Sequence, residues 1–160
     1  MGQRFDRRGK RSDEMLDLMK ALWEPGWTEF EGKFYSAPRL EMEPTPPHIP
    51  IYVGGLSDIA SGRAARNDGW IGDLITTDRA IERVDRLREL RAESGLSMDD
   101  FTILMPLTDV FTIPDYERAE AAGITGIVTM PWMFYAGAES TTAEKIDGMR
   151  KFRKDLALDG

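Results

Sequence analysis

The chain has 160 residues, a formal net charge of −7 and no cysteine, with 41% hydrophobic and 31% charged residues. That length holds one domain with a real core, and the supply of large apolar side chains excludes a disordered chain. Without cysteine there is no disulfide, thiolate metal site or thiol nucleophile, and an acidic chain with no basic stripe is a poor partner for nucleic acid.

The one basic segment, Gln3 to Arg11, leads into a helix and reads as a solvated loop. No apolar run approaches the ~20 residues that span a bilayer, and no secretion-signal core opens the chain, so the cytoplasm is the expected location. From Ser12 onward, Met15, Leu18, Met19, Leu22 and Trp23 repeat at helical spacing. Ser12 is the expected cap, with Asp13 and Glu14 at the positive end, and Pro25-Gly26 is the stop. "WTEFEGKFYS" then alternates aromatic and polar residues around Glu31-Gly32, the pattern of a small hairpin. Five prolines between Pro38 and Pro50 predict a long structured loop rather than a helix or a central strand.

A regular rhythm follows. Ile51 to Gly54 reads as a strand with a helix beginning near Ser57, and Gly69 to Gly72 as a strand with a helix from Asp78 to Ser94. That second helix carries Ile81, Val84, Leu87 and Leu90 on one face. Phe101 to Leu107 is a third strand, its short helix opened by Pro114 and closed by Gly123. Ile124 to Met130 is a fourth, and Thr141 with Glu144 forms a capping box for a last helix striped by Ile146, Met149, Phe152 and Leu156. Four strand-helix units in series specify a parallel sheet, because parallel neighbours need long crossovers. The expected fold class is therefore α/β. Residues 1–49 form a helix plus proline-rich insertion and residues 50–160 the four units of one domain. An open doubly wound sheet can use four strands, whereas a closed (β/α)8 barrel needs eight in about 250 residues.

In either architecture ligands sit at the carboxyl ends of the strands, where "VGGLS" lies. Paired glycines permit a sharp turn and close approach, and the first N–H groups of the next helix with the Ser57 hydroxyl offer donors to an anion such as phosphate. The same residues also make an ordinary tight turn with a serine cap.

The wider pattern resembles the bacterial luciferase-like family of flavin- or deazaflavin-dependent oxidoreductases. The resemblance rests on Arg11, Asp13 and Glu14 at the helix start, Leu22-Trp23 at its end, and Phe30, Gly32 and Phe34 in the hairpin. It continues through the "PPHIP" lead, the Gly-Gly-x-Ser turn and Asp68-Gly69-Trp70; "AAGITGIVTMPW" looks like the family's last barrel strand. It implies a (β/α)8 barrel of which this chain is the C-terminal half, binding FMN or coenzyme F420. Gly54, Gly55, Leu56 and Ser57 would then contact the cofactor phosphate, Leu56 through its backbone alone. It also implies that the strand ends facing the reactive ring, with the residues that handle protons, belong to the N-terminal half, so no catalytic residue is assigned. Trp70, Asp73 and Trp132 are candidates to line the pocket, as are Phe134 and Tyr135, though Trp70 reads more readily as a residue that fills the barrel. The lone His48 reads as a loop residue, Asp68 as a turn residue, and Asp109 as a weaker candidate for the site. One histidine builds neither a His-Glu metal site nor a Ser-His-Asp triad.

Two functional readings follow: a redox enzyme for a small organic substrate, acting as a monooxygenase where oxygen takes part, or a non-catalytic half-barrel that self-associates or pairs with an N-terminal half. A flavodoxin-like open sheet is a third architecture and would need a rearranged strand order.

Overall fold

Helix formation begins earlier than the Ser12 signal predicts. In the computed structural model, which describes residues 7–156, α1 is Arg8–Trp23, so Ser12 lies inside the helix and caps nothing. The basic residues after Arg7 are good helix formers and simply extend the helix toward the N-terminus; residues 3–6 of the basic segment lie outside the described residues. Glu14 is thereby moved off the helix start and takes a different task. Its Oε1 accepts the backbone N–H of Phe34 at 2.5 Å and of Tyr35 at 2.8 Å. Desolvation raises its pKa, but the N–H groups of Phe34, Tyr35 and Lys33 outweigh that and hold it below the ordinary carboxylate value. A Cβ at Gly32 would collide with the same carboxylate. The apolar stripe of α1 is only half-buried, and Met15 is exposed.

The hairpin forms as the alternation predicts. β1, Thr28–Glu31, pairs antiparallel with β2, Ser36–Leu40, with Glu31 opposite Ser36 and Phe30 opposite Ala37. Strand β2 runs through Pro38, where a loop is expected. A two-stranded ribbon has a free edge on each strand, so the missing N–H of proline costs no ladder bond. Residues 41–51 carry neither helix nor strand. These elements belong to one compact unit, Met1–Pro50, and the rest to a second, Ile51–Gly160.

The second unit carries a four-stranded parallel sheet whose spatial order is its chain order. β3, Tyr52–Gly54, leads to α2, Asp58–Ala64; β4, Gly69–Ile71, leads to α3, Thr77–Glu93. β5, Thr102–Met105, leads to α4, Ile113–Ala121; β6, Gly126–Ile127, is followed by a 3₁₀ turn, Pro131–Phe134, and α5, Thr142–Asp155. The order lacks the reversal that defines a doubly wound sheet, so the flavodoxin-like alternative has no support. Strand β6 is much shorter than the apolar run Ile124 to Met130. It pairs on one side only, and its partner β5 ends at Met105, just before Pro106, which has no N–H to continue the ladder.

One face of the sheet is dry. Val53, Trp70 and Ile103 share a register across β3, β4 and β5, as do Met105 and Ile127 across β5 and β6. Trp70, Ile103 and Met105 are fully buried against Ala64, Ala80, Val84 and Leu87 of the helices. The buried stripe of α3 is Ala80, Val84, Leu87 and Arg91, while the expected Ile81 and Leu90 flank it half-buried. Arg91 is tolerated inside because its guanidinium donates to the carbonyls of Ala65 at 3.0 Å, Asn67 at 3.1 Å and Ser97 at 2.7 Å, and stacks over Phe101 at 4.4 Å. The other face presents Tyr52, Ile71 and Val128, 38%, 39% and 51% exposed.

Because Trp70 is the largest side chain of this core, Trp70→Ala should lower stability by about 3–5 kcal/mol, and Trp70→Phe by clearly less. Urea unfolding followed by circular dichroism checks the ranking.

Candidate functional site

The carboxyl end of β3 is shaped by three residues with different tasks. Gly54 closes the strand on the open face, and a Cβ there would meet only the Ile71 carbonyl at 3.8 Å, an ordinary contact. Gly55 takes φ +115°, where a side chain is strained, and a Cβ would stand 3.1 Å from that of Ala60. Its carbonyl accepts the indole N–H of Trp70 at 2.9 Å. Ser57 is the N-cap of α2 as expected: its backbone is extended and its Oγ accepts the N–H of Ala60 at 3.2 Å. The Ser57 hydroxyl hydrogen and the N–H groups of Asp58 and Ile59 occupy the first turn, where a helix offers no partner of its own. Leu56 is half-buried and packs against the core, leaving only its backbone at the turn. The Asp58 carboxylate is paired with Arg83 of α3 at 3.0 Å, which moderates its charge beside the turn.

The other strand ends complete the rim. After β4, Asp73 is exposed and accepts the N–H of Leu74 at 2.8 Å. Asp109, after β5, accepts the Thr77 N–H at 2.8 and 3.1 Å and the Thr77 hydroxyl at 2.8 Å. A parallel bridge between Ile75 and Leu107 lies beside that contact. Ile59, Leu74, Phe111 and Met130, 75%, 64%, 59% and 57% exposed, each follow a different strand. Large apolar side chains left in water at the four carboxyl ends form the kind of rim that a ligand or another apolar surface covers.

The remaining candidates lie apart from the glycine turn. Trp70 is fully buried among the helices, so its ring reaches the turn only through its N–H and lines no open pocket. Trp132 is half-buried in the 3₁₀ turn and packs under α5, where a Cβ on Gly148 would come within 2.8 Å of its Cα. Phe134 meets Phe111 edge-on at 5.7 Å and stacks on Phe152 at 5.8 Å, and the Tyr135 hydroxyl donates to Asp155 at 2.7 Å. These residues line a groove of about 450 Å³. A second groove, of about 570 Å³, runs along edge strand β6 beside Tyr116 and Glu120. Asp68 is the expected turn residue and accepts the Ile51 N–H at 2.7 Å; His48 is exposed in the loop. Among the described residues no group of three or more acidic or histidine side chains could hold a metal ion, and no helix is long and apolar enough to cross a membrane.

Sequence reasoning missed the Asp109 tie and the apolar rim. The first joins residues 32 positions apart, beyond any local pattern. Exposed Leu74 and Phe111 look like core residues until the strands are placed.

A family model for luciferase-like monooxygenases matches residues 1–157. The chain is 42% identical over 132 residues to an uncharacterized protein of Mycobacterium tuberculosis, covering 80% of this chain and 44% of that protein. It is 31% identical over 97 residues to an FMNH2-dependent dimethylsulfone monooxygenase of Pseudomonas putida, covering 56% of this chain and 26% of the enzyme. Its fold superposes with a TM-score of 0.57 on an F420-dependent secondary alcohol dehydrogenase, at 16% identity, over 98% of this chain and 49% of that one. The chain thus spans less than half the length of the relatives it matches.

Gly55→Ala should cost about 1–3 kcal/mol from the strained backbone, whereas Gly54→Ala should leave stability within about 1 kcal/mol of wild type. Thermal and urea unfolding of the two variants, measured side by side, test the assignment.

Proposed function

Because the chain belongs to the luciferase-like monooxygenase family, we propose that its four units form half of a (β/α)8 barrel and supply the phosphate end of an FMN or F420 site in an oxidoreductase for a small organic substrate. The observation that carries this is the turn from Gly54 to Ile59. It stands at the carboxyl end of a parallel strand, has only glycine at Gly54 where the open face begins, and leads into a helix whose first N–H groups have no intrahelical partner.

The residues fit such a group. Gly54 leaves room for a phosphate to approach the backbone. Gly55 turns the chain, and the Ser57 hydroxyl can donate while its oxygen still caps α2. Arg83 keeps the nearby carboxylate of Asp58 paired. When bound, the cofactor supplies the redox chemistry, hydride transfer or oxygen activation. This chain's own contribution is to anchor the phosphate, offer the apolar rim of Ile59, Leu74, Phe111 and Met130 to an organic ring, and exclude water from that side of it. Of the relatives, the dimethylsulfone enzyme is FMNH2-dependent and the alcohol dehydrogenase, alike in fold, is F420-dependent; the turn suits either, since both cofactors carry phosphate.

A second reading has its own observation. Strands β3 and β6 each have one unpaired edge within their sheet, and the face bearing Tyr52, Ile71 and Val128 is open. Parallel sheets are normally covered on both faces. A non-catalytic half-barrel that self-associates, or pairs with an N-terminal half, would satisfy this without any cofactor.

Titration of the 160-residue chain with FMN and, separately, F420, followed by the fluorescence of its four tryptophans, distinguishes the two. Saturable binding of one cofactor, weakened at least about tenfold by Gly54→Asp at unchanged melting temperature, is the expected result. A folded chain that binds neither, with a mass that rises with concentration, would overturn the cofactor reading in favour of pairing.

A further inference from the structure

Resting on the cofactor reading, we infer that Asp109 is a positioning residue: it fixes the loop after β4, residues 72–76, at the ligand end of the sheet and so governs cofactor affinity from one strand away. The loop after β4 is anchored at its two ends, by the Gly72 N–H on the Leu104 carbonyl at 3.0 Å and by the side chain of Ile75 buried in the core. Gly72 opens it, Asp73 and Leu74 are exposed, and Thr76 caps α3 without any side-chain hydrogen bond. Further restraint comes from the loop after β5. Thr108 donates its N–H to the Ile75 carbonyl at 3.0 Å and Ile75 donates to the Pro106 carbonyl at 3.4 Å. Beyond them the Asp109 carboxylate takes both the N–H and the hydroxyl of Thr77.

Asp109 thus does for α3 what the helix's own N-cap residue does not, and its charge makes those bonds stronger than neutral ones. Thr77 is 2% exposed, so removing the carboxylate would leave two buried donors with no acceptor. The cost falls on the segment carrying Leu74, which is 64% exposed on the apolar rim. The Asp109 carboxylate is engaged by Thr77, so its effect on a ligand passes through the loop it holds. Asp68 provides the matched contrast: it also ties backbone across two units, by accepting the Ile51 N–H at 2.7 Å, but immediately before β4, at the opposite end of that strand.

The test compares wild type, Asp109→Ala, Asp109→Asn and Asp68→Ala in three readouts: FMN and F420 affinity, melting temperature, and hydrogen exchange of the Ile75 and Thr77 amides. Asp109→Ala should weaken binding at least about tenfold and speed exchange at both amides by a similar factor. Asp109→Asn, which keeps one acceptor oxygen, should restore most of both. Asp68→Ala should change affinity by no more than about twofold even at a comparable loss of melting temperature. Equal weakening by Asp109→Ala and Asp68→Ala, or unchanged affinity in Asp109→Ala beside a wild type that binds, would overturn this inference alone. A wild type that binds neither cofactor would overturn the cofactor reading and this inference with it.

Discussion

A single hydrogen bond, from the Trp70 indole to the Gly55 carbonyl, ties the turn at the carboxyl end of β3 to the core. The indole is fully buried between Val53 and Ile103 in register, with the helices on its other side. Its one polar atom has to find an acceptor there, because an unpartnered donor in that setting costs about 1–3 kcal/mol. The acceptor it finds is the carbonyl of the residue whose positive φ makes the turn. Packing, strand register and turn geometry are therefore one constraint: the backbone of the turn is held by the residue that fills the core.

The remaining features follow from a sheet finished on one face only. Small residues, Ala64 of α2 and Ala80 of α3, let the helices approach Trp70 closely. Arg91 closes the far end of the same layer by collecting carbonyls left over where α2 gives way to β4. The opposite face and the carboxyl ends keep Tyr52, Ile71, Leu74 and Phe111 in water. In a chain whose buried layer is this well satisfied, such exposure marks surfaces that another group or chain can cover.

Much of this was readable in the sequence where the signal is local. The Ser57 cap, the Thr141-Glu144 box, the entry of Pro114 into α4 and the strand-helix rhythm all depend on residues within a few positions of one another. Misreadings arose where a local signal was outcompeted. Ser12 looks like a cap, but basic helix formers before it carry the helix on, and Glu14 serves the hairpin instead of the helix end. Long-range ties were illegible for a different reason. Nothing near Asp109 announces Thr77, and nothing near Trp70 tells a pocket wall from a core residue until the parallel register assigns its face. The glycine turn was found by its composition, but its positive φ belongs to Gly55 and its open approach to Gly54, a division of labour that only the backbone geometry displays.

The central claim is that the turn from Gly54 to Ile59 receives phosphate. An amide-resolved NMR titration with FMN against riboflavin, or with F420 against its phosphate-free deazaflavin core, tests it most directly. The expected result is shifts at the Gly55 to Ile59 amides with the phosphorylated ligand and not with its counterpart, while the Trp70 indole N–H stays protected from exchange. Identical shifts with both members of a pair, or shifts confined to the groove at Phe111 and Phe134, would contradict it.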